Sequence, residues 1–203
     1  MQWYYSLMQA SGFVLAGGRS TRMGRNKALL PFRGMTLLEH VAGIVRDAVG
    51  SVTLIGDPAQ LGHLGLTAVP DQLPGCGPAG GIYTALAMTN THWNLIVGCD
   101  MPALARDILI ALVSRASAAP LAINCIAVAG ANGEPEPLCA VYHRRCLAAV
   151  ARAIGENRLK MKDLVTELGT ELMPVDPAAV ANVNTPDEWM EFQATVSSDA
   201  KPS

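Results

Sequence analysis

The chain has 203 residues, half of them hydrophobic and 16% charged, with a formal net charge of −2. That is enough apolar material to bury one substantial core, and the near-neutral balance excludes the global basic field that draws proteins onto nucleic acid or acidic membranes. Five cysteines without a CxxC pair and four scattered histidines argue against a disulfide framework or a zinc centre. The opening residues lack a basic segment followed by a sustained apolar run, and no stretch approaches about 18 uninterrupted apolar residues. The expectation is a reducing, cytoplasmic setting with no membrane and no nucleic acid as partner. Residues 1–10 are expected to form a flexible extension, with Met8 an alternative start, 11–196 a single domain, and 197–203 a flexible tail.

Along the chain, apolar runs of strand length at 13–16, 52–55, 66–69, 95–97 and 123–128 alternate with amphipathic stretches at 36–49, 79–88, 103–114, 144–154 and 161–168. This alternation predicts an α/β fold, a three-layer α/β/α sandwich of Rossmann-like type around a mostly parallel sheet. The second half is less regular. Residues 138–142, 172–175 and 180–183 read as further strands, at least one of them antiparallel. A final helix starts after Pro186, with Asp187 and Glu188 favourably placed in its first turn. Residues 129–137 stack turn formers and are expected to be a mobile loop. Ligands of such sheets gather beyond the carboxyl ends of the strands. Gly17, Gly56, Asp71 and Asp100 each follow an apolar run and so are expected to share that edge.

The turn after the first strand carries the strongest chemical signal. Gly17, Gly18 and Gly24 let the main chain approach an anion closely, and Arg19, Arg22, Arg25 and Lys27 supply four cations within nine residues, with no acidic residue among them. A bare Gly-Gly pair would only mark a strand end and a basic surface loop; the cations turn it into a polyphosphate cradle. It is neither of the two common phosphate loops. GxxxxGK(S/T) fails because Lys27 lies between Asn26 and Ala28, and GxGxxG fails because Gly17 and Gly18 are adjacent. Asp100 ends the run Leu95-Ile96-Val97-Gly98-Cys99, where a carboxylate beside a phosphate loop can hold Mg²⁺ or, alternatively, cap the helix expected at Ala103. Asp71, after Pro70, is a turn residue or a ligand contact. The segment 75–81, rich in glycine, enters a helix or gives a planar base bare backbone to lie on. Cys99 reads as a small buried hydrophobe rather than a nucleophile.

Leu15-Ala16-Gly17-Gly18 with Arg19, Arg22-Met23-Gly24 and Lys27 resembles the LAGGxSxRMGxxK signature of nucleotidyltransferases related to molybdenum cofactor guanylyltransferase. Pro70-Asp71, Gly77-Pro78-Ala79-Gly80-Gly81-Ile82, Cys99-Asp100-Met101-Pro102, Glu136-Pro137-Leu138 and Asn182-Val183-Asn184-Thr185-Pro186 follow in the family's order, so the resemblance runs from about Phe13 to Trp189. It implies transfer of GMP from GTP to molybdopterin, with release of pyrophosphate and Mg²⁺ as cofactor. It implies GTP contacts at Leu15, Ala16, Gly17, Gly18, Lys27, Gly56, Asp71, Gly80 and Asp100, and metal ligation by Asp100. Catalytic roles fall on Arg19, Arg22, Lys27 and Asp100. Asn182 and Asn184 would face the acceptor, and Glu134, Glu136 and Arg144 are further candidates near it. Gly18 favours the guanylyl branch over its cytidylyl relatives, whereas Gly56 replaces an asparagine that touches the nucleoside in the best-studied branch. Other molybdenum cofactor proteins or apo-molybdoenzymes are possible partners. The competing readings are a related nucleotidyltransferase using CTP or another phosphate acceptor, and a non-catalytic nucleotide-binding adaptor.

Overall fold

The structure, a computed structural model, describes residues 10–17 and 27–199. Nine strands are present among the described residues: β1 (Ala10–Leu15), β2 (Pro31–Phe32), β3 (Met35–Thr36), β4 (Thr53–Ile55), β5 (Ala68–Val69), β6 (Trp93–Gly98), β7 (Cys125–Ala129), β8 (Pro135–His143) and β9 (Thr170–Met173). The α-helices are α1 (Leu37–Val49), α2 (Pro58–Leu61), α3 (Pro78–Met88), α4 (Arg106–Ser117), α5 (Leu147–Gly155), α6 (Met161–Glu167) and α7 (Pro186–Asp199). β2 and β3 form a small separate hairpin whose turn uses positive φ at Arg33 (49°) and Gly34 (81°).

The remaining seven strands make one sheet in the order β5-β4-β1-β6-β8-β7-β9. β5, β4, β1 and β6 pair in parallel, β8 is antiparallel to both β6 and β7, and β7 pairs in parallel with β9. Six strands therefore run one way and β8 alone runs the other. Side-chain alternation divides the core into two sides. Val14, Leu54, Leu95, Val97, Ile126 and Val141 face one way, against Leu38, Val41 and Val45 of α1, Leu109 and Leu112 of α4, and Trp189 of α7. Phe13, Leu15, Ile55, Ile96, Ala127 and Tyr142 face the other, against Ile82 and Leu86 of α3, Val150 of α5 and Leu164 of α6. This is the expected three-layer sandwich.

Local chemistry sets where the elements begin and end. α1 starts with a capping box: Glu39 N–H donates to Thr36 Oγ1 at 3.2 Å, and Thr36 N–H returns to Glu39 Oε2 at 2.7 Å. It ends at Gly50, whose left-handed φ of 81° lets its N–H reach Arg46 O at 2.7 Å. Gly12 gives α1 its close seat on β1, because a Cβ there would lie 2.5 Å from Ser51 O and 2.6 Å from Val45 Cγ1.

Several boundaries differ from the sequence reading. Among the described residues, regular structure runs from Ala10 to Asp199. The helix expected from 103 starts at Arg106, because Leu104 is tucked into a turn closed by its N–H to Met101 O at 3.2 Å. Much of the loop expected at 129–137 is ordered pairing: Ala129 pairs with Pro135, and Gly130 N–H donates to Glu134 O at 2.8 Å. The strand expected at 180–183 is absent. Asp176 instead accepts from Ala178 N–H and, with Pro177, starts a 3-10 turn over Pro177–Val180.

Candidate active site

The carboxyl ends of the parallel strands form one rim. Leu15 is in register with Ile55 on one side and Gly98 on the other, and Ile55 with Val69, so Gly17, Gly56, Asp71 and Asp100 do emerge along a common edge. The first two turns are tied down by their own backbone. Ala16 N–H donates to Ile55 O, and Gly56 N–H to Val69 O, each at 2.9 Å, so these are not open donors. Leu15 is 7% exposed, its side chain belongs to the core beneath α3, and its main chain is in register with β4 and β6 on either side. A Cβ at Gly56 would lie 2.9 Å from Leu61 Cδ1, the tip of a side chain that would have to shift to admit it. Gly18, Arg19 and Arg22, together with Gly24 and Arg25, lie outside the described residues.

Lys27 opens a short 3-10 turn whose next residue, Ala28, is buried in the same core cluster as Leu37 and Phe32. That anchor directs the ammonium back to the end of β6. Lys27 Nζ lies 2.7 Å from Asp100 Oδ2, 2.9 Å from Asn184 Oδ1 and 3.5 Å from Val183 O. Three segments far apart in sequence thus meet at one cation. Asp100 Oδ1 is buried and, among the described residues, makes no hydrogen bond. Gly98 makes this possible, since a Cβ there would come within 2.7 Å of that oxygen. Asp100 caps no helix, because α4 starts six residues later. Its backbone carbonyl instead accepts from Val183 N–H at 2.9 Å, binding the segment before α7 to the site. Cys99 beside it is buried, and burial first, then the Asp100 charge, pushes its thiol up to about 12, which leaves it unreactive.

Asp71 is held at the start of α3. Its Oδ1 accepts from Leu73 N–H and Thr84 Oγ1, both at 3.0 Å. Thr84 also accepts from Gln72 N–H at 3.0 Å and shares its one proton between Asp71 and Gly80 O. The turn role is therefore real. Gly80 does not leave open backbone at its Cβ position: a methyl there would sit 2.5 Å from Leu73 O and 2.9 Å from Asp71 Oδ2. The glycine lets the helix end and the Asp71 loop approach each other. Thr84 and Gly98 were missed in the sequence. Thr84 had a signal, as a hydroxyl among the apolar residues of α3; Gly98 had none short of knowing where the Asp100 side chain turns.

The two asparagines have different partners. Asn184 Oδ1 takes the Lys27 ammonium, whereas Asn182 Nδ2 donates to Glu136 Oε2 at 3.3 Å. Thr185 caps α7, in a box with Glu188. Glu136 stands at the start of β8, and since β8 runs against its neighbours, that start falls on the same rim. Its Oε1 also accepts from Leu138 N–H at 3.3 Å. Burial holds the Glu136 carboxyl above its usual range, opposed by these two hydrogen bonds and reinforced by the Asp100 charge. The reversal that brings Glu136 in sends Arg144 out: it follows the other end of β8, where its N–H bonds His92 O at 2.7 Å ahead of β6, at the opposite edge of the sheet. Glu134 is exposed and paired with Lys162 at 2.8 Å.

Among the described residues no helix is long and apolar enough to cross a membrane. Relatives of similar length match nearly end to end. A protein of Flavobacterium johnsoniae named "Probable molybdenum cofactor guanylyltransferase" is 29% identical over 91% of this chain and 97% of its own. One of the same name from Pelotomaculum thermopropionicum is 31% identical over 91% and 92%. In fold, the chain resembles the crystal structure of molybdopterin-guanine dinucleotide biosynthesis protein A from Archaeoglobus fulgidus, with a TM-score of 0.78 and 23% identity over 93% of this chain and 99% of that one. Residues 12–171 match the family described as "MobA-like NTP transferase domain". With the rim, the cation contact and these likenesses together, the chain belongs to the MobA-like NTP transferase family.

Proposed function

We propose that the protein transfers GMP from GTP to the terminal phosphate of molybdopterin, with Mg²⁺ as its cofactor, in the cytoplasm. The observation that carries this reading is the meeting of Lys27 with Asp100 and Asn184 at the end of β6. It puts at one point the last cation of the glycine-rich loop and a carboxylate whose other oxygen is buried without a partner among the described residues. The oxygen-only donor set of Asp100 and the neighbouring Asn184 fits a hard divalent ion, which would supply charge neutralisation at the phosphates.

The reaction joins an acceptor phosphate oxygen to the α-phosphorus of GTP and breaks the α–β anhydride bond, releasing pyrophosphate. The acceptor is already an anion at neutral pH, so no strong base is needed. The protein's task is to bring two anions together in line. Lys27, with Arg19 and Arg22, would take up charge on the departing pyrophosphate. Gly17, Gly18 and Gly56 would offer the nucleotide close backbone, Asp71 and Gly80 would position the nucleoside, and Asn182 and Asn184 would hold the acceptor. The product would pass to apo-molybdoenzymes or other molybdenum cofactor proteins.

The test is product analysis. Purified protein is incubated with molybdopterin, Mg²⁺ and GTP, CTP or UTP in turn, and products are identified by mass. A guanine dinucleotide and pyrophosphate only with GTP are expected. A cytosine dinucleotide in its place would overturn the base assignment, and no dinucleotide with any nucleotide would overturn the transfer itself.

A further inference from the structure

A cavity of about 230 Å³ lies between the β7–β8 hairpin and the segment before α7. Its walls include Pro135, Pro177 and Val180; its polar groups include Glu136, Asn182 and the Glu134–Lys162 ion pair. It is smaller than the roughly 300 Å³ at which drug-sized sites begin, and so suits one flat ring system rather than a whole nucleotide.

Glu136 decides what such a ring must offer. Each of its oxygens accepts one long protein hydrogen bond, at 3.3 Å from Leu138 N–H and 3.3 Å from Asn182 Nδ2. An ionised carboxylate has about four lone-pair sites, so acceptor capacity remains on both oxygens. Burial makes its charge costly, and two further donors would offset that cost. A phosphate would be repelled. The complementary partner is a planar edge with two adjacent N–H donors, which a carboxylate accepts side by side. A 2-amino-4-oxopyrimidine ring has that edge, and both guanine and pterin contain it. Location separates them: β1 and β6 stand between this cavity and the β4–β5 side where Asp71 and Gly80 lie.

We infer that this cavity seats the pterin of the acceptor and that Glu136 reads its 2-amino-4-oxopyrimidine edge, with Asn182 holding the carboxylate in place. The inference deepens the function proposed above and rests on its acceptor being a pterin phosphate.

The experiment measures binding of neopterin monophosphate by fluorescence, against the lumazine counterpart in which a carbonyl replaces the 2-amino group. The full chain should favour the pterin by about tenfold, the worth of one charge-assisted hydrogen bond. Glu136→Gln should abolish or invert this preference, because an amide can donate to the new carbonyl while accepting from the ring N–H, and Mg-GTP affinity should stay within about twofold. Glu136→Asp, which keeps the carboxylate, should bind more weakly and retain the preference. An unchanged preference in Glu136→Gln, or no pterin binding by the unaltered chain, overturns the inference. Displacement of the pterin by Mg-GTP, with weaker GTP binding in Glu136→Gln, assigns the cavity to guanine and also overturns it. GMP transfer is scored separately: transfer that persists without the preference removes only this inference, and a preference that persists without transfer removes only the function.

Discussion

The two halves of the sheet meet the same rim in different ways. In β5, β4, β1 and β6, strands end at the rim, and what they present is turn backbone: Gly17, Gly56, and the Asp71 loop pressed against the first turn of α3. In β8, a strand begins there, and what it presents is a side chain, Glu136, beside a hairpin and a cavity. Main chain suits phosphates and a ribose, whereas an anchored carboxylate suits a donor-bearing ring. One reversed strand thus gives a single edge two chemically distinct sides, with Lys27 and Asp100 at the seam.

The sharpest way to break this contrast is at the seam. Asp100→Ala should lower turnover about a thousandfold, as loss of a centre that stabilises charge in the transition state does. It should cost only about 1–2 kcal/mol of folding stability, because the lost ion pair is offset by removal of a buried oxygen that has no partner among the described residues, and the ammonium keeps its contact with Asn184 Oδ1. Steady-state kinetics and thermal melting check the two outcomes. On the parallel side, Thr84→Val removes the hydroxyl that fixes Asp71 and should weaken GTP binding about tenfold by calorimetry while leaving acceptor KM unchanged. On the reversed side, Asn182→Ala frees Glu136 and should raise acceptor KM about threefold to tenfold with GTP affinity intact. Equal effects of the latter two variants on both substrates would dissolve the division.

The smallest effect is a pH dependence of stability. Glu136 binds its proton more tightly in the folded than in the unfolded chain, where the carboxyl has its usual value of 4.5. Above 4.5 the folded state therefore holds more protons, and stability is lost as pH rises from there through the folded value. Glu136→Gln escapes this loss. Its melting temperature relative to the parent should rise by about 1–3 °C between acid and neutral pH, and a constant difference would contradict the argument.

Much of this was legible in the chain because it is local. Glycines after apolar runs mark strand ends, and four strand ends in parallel pairing put Gly17, Gly56, Asp71 and Asp100 on one edge. The cation pattern at Arg19, Arg22 and Lys27 likewise needs no tertiary knowledge to be read as phosphate chemistry. What escaped depends on direction and distance. Glu136 and Arg144 look equivalent as charged residues flanking one apolar run, yet β8 carries them to opposite edges. Asn182 and Asn184 have strand spacing, but Pro177 and the Thr185 cap leave no room for a strand between two turns. Gly98 is simply part of an apolar run and Gly80 a helix-entry glycine in sequence; both make space for a carboxylate.

The resting position of Lys27 couples two events that would otherwise be independent. A free divalent ion approaching Asp100 meets a seat whose charge is already balanced by an ammonium tethered to the fold, and must evict it into solvent. An incoming polyphosphate gives that same ammonium somewhere better to go. On the function proposed above, nucleotide and divalent ion would then bind in concert, and Lys27→Met, which leaves Asp100 without its ammonium partner, should bind Mn²⁺ without nucleotide at least about tenfold more tightly than the parent chain in a spin-resonance titration.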